Sequence, residues 1–328
     1  MYKTLTNRRV LVTGGAGFIG SNLVESLLSC GNRVTCLDNF STGKRENLAP
    51  FLGNPGFRLV EGDIRNMTDC EKALQDIDIV FHEAALGSVP RSIKDPVTST
   101  DVNIGGFVKM LFTAREAGIK RFVYAASSST YGDHPDLPKV EDKIGAPLSP
   151  YAITKYVNEL FAGNFAKTYG MEIIGLRYFN VYGRRQDPDG AYAAVIPKFL
   201  KLLKNHEAPL INGDGSISRD FTYIDNVIQA NHLAAVTENP GALNQVFNVA
   251  HGERTTLNEL FDYLKHFAGR FDEYVVGIVP QYGPDRPGDI QHSLASIDKA
   301  KRLLGYSPTH NVVQGLEEAV RWFWENLK

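Results

Sequence analysis

Short apolar, β-branched runs alternate with amphipathic stretches through the first half of the chain. The runs at 10–13, 34–37, 57–60, 79–82, 122–126 and 173–177 predict strands bounded by turn-forming residues. Between them, apolar positions recur at helical spacing over 18–29, 69–75, 97–117 and 151–167. Strands that are apolar throughout and separated by helices predict a parallel sheet covered on both faces, with right-handed crossovers. Past about residue 180 the regularity fades. Turn clusters at 183–190 (GRRQDPDG) and 211–220 (INGDGSISRD) interrupt it, and 280–289 (PQYGPDRPGD) reads as a loop before two closing helices. A further strand-like run at 246–249 is expected to return to the main sheet. The fold class expected is α/β: a doubly wound parallel sheet over 1–180, with 225–250 returning to it. A smaller discontinuous lobe, 181–224 and 251–328, is expected over the carboxyl ends of the strands, where open α/β sheets bind ligands.

Composition narrows the partners. Lys+Arg number 35 against Asp+Glu 37, a formal net charge of −2, with 43% hydrophobic and 22% charged residues. This balance excludes a disordered or collagen-like chain and gives no basic excess for nucleic acid or an anionic membrane. Cys30, Cys36 and Cys70 form an odd, sparse set without a C-x-x-C pair, as expected of reduced thiols in a cytosolic protein. No signal-peptide pattern and no apolar run of about 18 residues is present, so no membrane span is expected. His82-Glu83 lacks the second histidine of H-E-x-x-H, and no metal is expected.

Directly after the first strand, Gly14, Gly17 and Gly20 stand at G-x-x-G-x-x-G spacing and lead into an amphipathic helix. Glycines there let the backbone turn tightly and approach a pyrophosphate, which the N–H groups at the helix start attract. Asp38 ends the second strand 18 residues after Gly20. An acid in that place accepts hydrogen bonds from an adenosine ribose and repels a 2′-phosphate. The first half therefore reads as a Rossmann-type site for NAD rather than NADP.

Ser149-Pro150 is a helix-start signature, which places Tyr151 and Lys155 four apart on one helix face. Ile153, Val157, Leu160, Phe161 and Phe165 fall largely on the other side. The pair is thus expected to point away from the helix's core contact, into solvent or a cleft. A free tyrosine titrates near pH ~10, so a base at pH ~7 needs about 3 units, roughly 4 kcal/mol. One ammonium at ~5 Å and an effective dielectric of ~20 supplies roughly 3 kcal/mol, and an oxidised nicotinamide the rest. Such a base suits removal of a hydroxyl proton as hydride leaves the same carbon. The run 125–132 (AASSSTYG) offers hydroxyl donors for the same oxygen.

Eight segments together resemble the extended short-chain dehydrogenase/reductase family, and within it the nucleotide-sugar 4-epimerases: GGAGFIG, DNFSTG, EGDIR, HEAA, SSSTYG, YAITK, LRYFNVYG and RPGD. The resemblance spans essentially the whole chain. It implies that NAD lies along Gly14, Gly17, Phe18, Ile19 and Gly20, with Asp38, Asn39, Ser41, Thr42 and Gly43 around the adenosine ribose. Asp63 and Ile64 would flank adenine, Ala84, Ala85 and Leu86 the cofactor's middle, and Asn103 and Tyr178 complete its site. Ser127 would hold the sugar O4 and Tyr151 act as base. Lys155 would lower the Tyr151 pKa and hold the nicotinamide ribose. The reaction implied removes hydride from sugar C4 to NAD, turns the 4-keto sugar about its phosphate link and returns hydride to the other face.

Related 4,6-dehydratases carry Asp-Glu, and decarboxylases a Glu at the second place, where this chain has Ser128 and Ser129, which disfavours both reactions. The family contacts its sugar nucleotide at positions matching Ser88, Ser128, Ser129, Phe179, Asn180, Ala194, Val195, Lys198 and Asn212. Arg219 and Arg286 resemble the arginines that clamp the UDP diphosphate, a task suited to bidentate guanidinium groups; Asp289 would reach the uridine ribose. Ser293 stands where glucose/galactose-restricted bacterial relatives have a tyrosine, leaving room for a 2-acetamido group. With 84–92 (AALGSVPRS), it resembles the subgroup acting on UDP-N-acetylglucosamine, UDP-N-acetylgalactosamine and their uronic acids. The alternatives are a UDP-glucose/UDP-galactose or UDP-glucuronate 4-epimerase, then a dehydratase, a decarboxylase or a silent NAD-binding protein. The helices at 97–117 and 151–167 correspond to those that pair into a four-helix bundle in relatives, which implies a homodimer.

Overall fold

The computed structural model describes residues 2–190, 193–284 and 291–327. One sheet holds β1 (Arg9–Thr13), β2 (Arg33–Asp38), β3 (Phe57–Glu61), β4 (Ile79–His82), β5 (Arg121–Ser127), β6 (Glu172–Tyr178) and β7 (Val246–Val249). Their spatial order is β7-β6-β5-β4-β1-β2-β3, and every neighbouring pair is parallel. The chain winds outward from β1 through β3, then returns to β4 and winds the other way. The loops leaving β1 and β4 therefore diverge, and a crevice opens between them. β4 is buried throughout and β1 after its first residue, which is why both read as unbroken apolar runs.

Helix α1 (Phe18–Ser29) covers one face. The other face carries α2 (Met67–Ala73) and, after the short α3 (Val89–Lys94) and α4 (Pro96–Thr100), α5 (Phe107–Glu116) and α6 (Pro150–Tyr169). α7 (Val195–Lys204) lies in the smaller lobe, and α8 (Ile224–Val236) returns to the face of α1. The helix expected over 97–117 has a wider π-helical turn, Asp101–Gly106, between α4 and α5. There Gly106 meets Ile64 so closely that an added Cβ would lie 2.6 Å from its side chain. The same turn aims the buried Asn103 at the loop after β4, a common use of such turns.

α6 starts as expected: Ser149 Oγ accepts the Ala152 N–H at 3.1 Å, and Gly170 ends the helix at φ +68°. Its buried side is only partly the one expected. Phe165 is buried and Phe161 packs against the core, but Ile153 and Leu160 are 48% and 55% exposed, whereas Ala152, Thr154, Lys155, Asn158 and Ala162 are buried. Small residues let this side approach the sheet closely, and Lys155 is tolerated there because its ammonium donates to the Ala125 carbonyl.

In the smaller lobe, Leu210–Asn212 pairs with Gln281–Gly283, and Ser218–Arg219 with Thr255–Thr256. Among the described residues, no helix is long and apolar enough to cross a membrane.

Candidate active site

A cleft of about 510 Å³ opens between the loops leaving β1 and β4. It gathers Gly14, Gly17, Phe18, Ile19 and Gly20 from the glycine loop, and Asp38, Asn39, Ser41, Thr42 and Gly43 from the exit of β2. Asp63, Ile64, Ala84, Ala85, Leu86 and Ser88 form another wall, and Ser127, Tyr151, Lys155 and Tyr178 the far end. Asn103, expected on the cofactor, instead stands behind this wall. It accepts from Leu86 N at 2.7 Å and donates to Leu86 O at 3.1 Å, fixing the loop from outside.

The glycine loop has no room for side chains. A Cβ on Gly14, whose φ is +68°, would lie 2.7 Å from Ala84 Cα, and one on Gly20 would lie 2.2 Å from the Gly14 carbonyl oxygen. α1 begins at extended Gly17 without a side-chain cap, so its first N–H groups lack a side-chain partner where Phe18 and Ile19 line the cleft. The Asp38 carboxylate accepts from Ala16 N at 2.9 Å and from Phe40 N at 2.8 Å, pinning the glycine loop to the end of β2. Burial raises its pKa against those two hydrogen bonds. Asn39 donates to Asp63 at 2.9 Å, and the Arg65 guanidinium holds Asp63 down to about 2. A bare backbone cradle, an uncapped helix start and a buried acid after β2 are what NAD requires, and the residues fit it.

At the far end, Ser127 closes β5, and Ser129 donates to its Oγ from both N (3.1 Å) and Oγ (2.8 Å). The Tyr151 N–H donates to Ser92 Oγ at 3.0 Å, and Tyr151 shares this end of the cleft with Ser127. Lys155 Nζ donates to the Ala125 carbonyl at 2.7 Å and lies 6.0 Å from the centre of the Tyr151 ring. Burial pulls Lys155 down to about 8, opposed by Glu83 and then Glu159. The Tyr151 pKa departs from expectation: burial raises it, and Ser127 is the opposing influence. Lys155, turned to Ala125 and with its own charge weakened by burial, does not by itself bring the phenol toward neutrality.

A second cavity, about 340 Å³, lies where the chain leaves β6 for the smaller lobe. It brings together Asn180, Ala194, Val195, Lys198, Asn212 and Arg219. Phe179 does not belong to it. It is fully buried, its ring 5.9 Å from that of Tyr131, because an aromatic at this alternation of the strand end packs inward. Asn180, at φ +36°, makes the turn into the cavity. Arg219 donates to the Ser218 and Gln291 carbonyls, and Ser293 N donates to Ser218 O at 3.1 Å, so Ser293 runs beside the Arg219 strand. Ser128 opens the turn Ser128–Tyr131 and lies outside both cavities. Arg286 and Asp289 fall outside the described residues.

Two acids gain roles the sequence did not suggest. Asp220 is fully buried, its carboxylate accepting the N–H groups of His251, Gly252 and Ala295, and burial raises it to about 7. Glu83 lines the NAD cleft, where Tyr178 Oη donates to its Oε1 at 2.9 Å and burial raises it to about 7. Its place just past the end of a central strand, beside the crevice, is the signal that marks it.

A doubly wound sheet with a serine, a tyrosine and a lysine at the far end of its cleft defines the extended short-chain dehydrogenase/reductase class. Within that class, the chain belongs to the NAD dependent epimerase/dehydratase family, whose model matches residues 10–250. The structure is similar to that of a UDP-N-acetylglucosamine 4-epimerase from Methanobrevibacter ruminantium M1, solved with UDP-N-acetylmuramic acid (TM-score 0.91, 39% identity, 98% of this chain and 100% of that one). It is also similar to a UDP-glucuronic acid 4-epimerase from Bacillus cereus, solved with UDP-glucuronic acid and NAD (TM-score 0.87, 33% identity, 97% and 99% covered). Among curated relatives, a putative UDP-glucose 4-epimerase of Methanocaldococcus jannaschii is 38% identical over 320 residues, 97% of this chain and 99% of its own.

Proposed function

We propose that this chain is a UDP-sugar 4-epimerase that prefers 2-acetamido sugars, UDP-N-acetylglucosamine and UDP-N-acetylgalactosamine, with their uronic acids as near substrates. The observation that carries the reaction is one cleft holding Ser127, Tyr151 and Lys155, with hydroxyls rather than acids at the next two positions, Ser128 and Ser129. That set moves a proton on and off an alcohol and has no acid for eliminating water. Bound NAD supplies the hydride acceptor and donor, and the positive nicotinamide that draws the Tyr151 phenol down. Ser127, oriented by Ser129, holds the sugar O4 while Tyr151 removes its proton. The same phenol returns the proton once the 4-keto sugar has turned. Arg219, beside the second cavity, grips the diphosphate so that the sugar swings while the nucleotide stays.

The substrate preference is supported by Ser293, a small side chain laid beside the Arg219 strand. The test is incubation with UDP-N-acetylglucosamine, its uronic acid, UDP-glucose and UDP-glucuronate, with products resolved chromatographically. C4 epimers are expected, with the acetamido sugars giving the higher kcat/KM. A 4-keto-6-deoxy product or CO₂ release overturns the reaction, and a preference for UDP-glucose overturns only the substrate. Ser293→Tyr is expected to lower kcat/KM for the acetamido sugars by roughly tenfold or more, with UDP-glucose little changed. Unchanged turnover of UDP-N-acetylglucosamine removes Ser293 as gatekeeper.

A second copy completes the reading. Ile153 and Leu160 lie two turns apart on the outward face of α6, and Val97 on α4 is 78% exposed. This apolar surface supports a homodimer. Light scattering is expected to give twice the chain mass, and Leu160→Glu to halve it.

A further inference from the structure

Glu83 is a half-buried carboxyl inside the cofactor cleft that the proton transfer described above does not use. Its environment is ordered by direction. The fully buried Asn231 donates through Nδ2 to Val227 O at 3.0 Å and to Tyr178 Oη at 2.9 Å. Val227 O only accepts, so it fixes which end of the amide carries the hydrogens. Tyr178 Oη thus accepts from Asn231 and gives its own proton to Glu83 Oε1. A carboxyl held as an acceptor in this way favours its ionised form.

The groups around Lys155 show what that charge meets. On its own helix stand Tyr151 and Glu159, and Glu159 is already clamped by Arg177 of β6 through two hydrogen bonds of 2.9 and 2.7 Å. β5 offers the Ala125 carbonyl. β6 adds Tyr178, whose proton is committed to Glu83. β4 ends in His82, fully buried and held neutral with its pKa near 3, its Nδ1 bonded with Thr13 Oγ1 at 3.0 Å. Of the two acids whose charge acts on this ammonium, Glu83 and Glu159, Glu83 is the one that no cation clamps, and it lines the same cleft as Lys155 immediately after β4. We propose that Glu83 is the counter-charge that keeps Lys155 an ammonium in the closed cleft, a positioning residue for proton transfer at Tyr151.

Burial discharges an isolated lysine and an isolated glutamate alike, and each charged partner offsets the other's loss of water. Lys155 is pulled down to about 8, and Glu83 is the larger of the two influences holding it up. Without that carboxylate the ammonium gives up its proton more readily, and the Tyr151 phenolate loses the positive neighbour that stabilises it. Proton removal at Tyr151 then requires a higher pH. This inference rests on the reading of Tyr151 as the proton-transfer residue.

Glu83→Gln keeps an acceptor for Tyr178 and removes only the charge. In the holoenzyme, tyrosinate absorbance is followed against pH, with Tyr151→Phe as the blank, alongside the pH profile of kcat/KM. Both the Tyr151 titration and the rising limb of the profile are expected to move up by about one unit. The loss is about tenfold from neutral pH, where Glu83, raised to about 7 by burial, begins to carry its charge, and it is recovered at high pH. Glu83→Asp, which keeps the charge, is expected to restore the wild-type limb. Glu83→Leu, of similar volume and uncharged, replaces the amide variant should that one not fold, with the same shift expected. A limb and a titration that coincide with wild type, with only the level of activity lowered, overturn the proposal and leave Glu83 a structural residue. The absorbance titration uses no sugar. A protein that epimerises none of the UDP-sugars yet shows the shifted titration retains this inference and loses the proposed reaction.

Discussion

Gly20 shows how much function is held by the absence of a side chain. A methyl group there would meet a carbonyl oxygen of the glycine loop at 2.2 Å, and backbone cannot swing aside as a side-chain tip does. Gly20→Ala is expected to lower unfolding free energy by about 1–3 kcal/mol and to weaken NAD retention by roughly tenfold or more, about 1.4 kcal/mol. Denaturant unfolding and cofactor content after gel filtration measure the two. Gly53→Ala is the control, since an added Cβ there meets nothing within 4 Å. The glycines were legible in the sequence because their spacing is local and one strand precedes them. Glu83 was not, because its meaning comes from Tyr178, 95 residues away, and from Lys155 on another helix. Phe179 failed for a similar reason: a motif position gives the backbone's path past a pocket, while packing against Tyr131 decides where the ring goes.

α6 carries the proton-transfer pair, and its hold on the sheet is a buried ion pair. Glu159 and Arg177 join α6 to β6 with side chains only 7% and 4% exposed. Removing one partner leaves the other charged and without water. Glu159→Ala is therefore expected to destabilise the fold by about 3–5 kcal/mol, measured by urea unfolding. The start of this helix was readable from Ser149-Pro150, and the i, i+4 placement of Tyr151 and Lys155 followed from it. Its burial was not. Helical period tells which residues share a face, but Ala152, Ala162 and Ala166 let the less apolar face lie against the sheet and leave Ile153 and Leu160 outside. The π-helical turn before α5 was equally hidden, since it ends in Gly105 and Gly106, which have no side chains to mark the change of phase.

At the scale of the molecule, the buried His82, His232 and Asp220 and the half-buried Glu83 set opposing pH dependences. His82 and His232 are pushed down by burial to about 3 and about 4 from an ordinary value of 6.5. The unfolded chain binds their protons first, so their neutral burial favours folding above about pH 6.5 and is lost as pH falls toward those values. Glu83 and Asp220, raised to about 7, act in the opposite sense, favouring the folded state at lower pH and losing that contribution as pH rises toward 7. His232→Gln removes one histidine from this balance. Relative to wild type, the variant is expected to gain stability as pH falls from 6.5 toward 4, by up to about 1.4 kcal/mol per unit; melting temperature against pH measures it. The sheet as a whole was the most legible feature, because seven short apolar runs separated by helices admit few arrangements. The last of those strands carries a consequence for synthesis. β7 is Val246–Val249, yet it pairs with β6 at the rim of a sheet whose other six strands end by Tyr178. A ribosome must extend the chain through the first part of the smaller lobe before β7 replaces β6 as that edge. Until then β6 offers a bare row of N–H and C=O groups to any neighbouring nascent chain. Pauses in translation between residues 178 and 246 thus leave the seven-residue β6, rather than the four-residue β7, as the open edge and are expected to raise aggregation of the nascent chain.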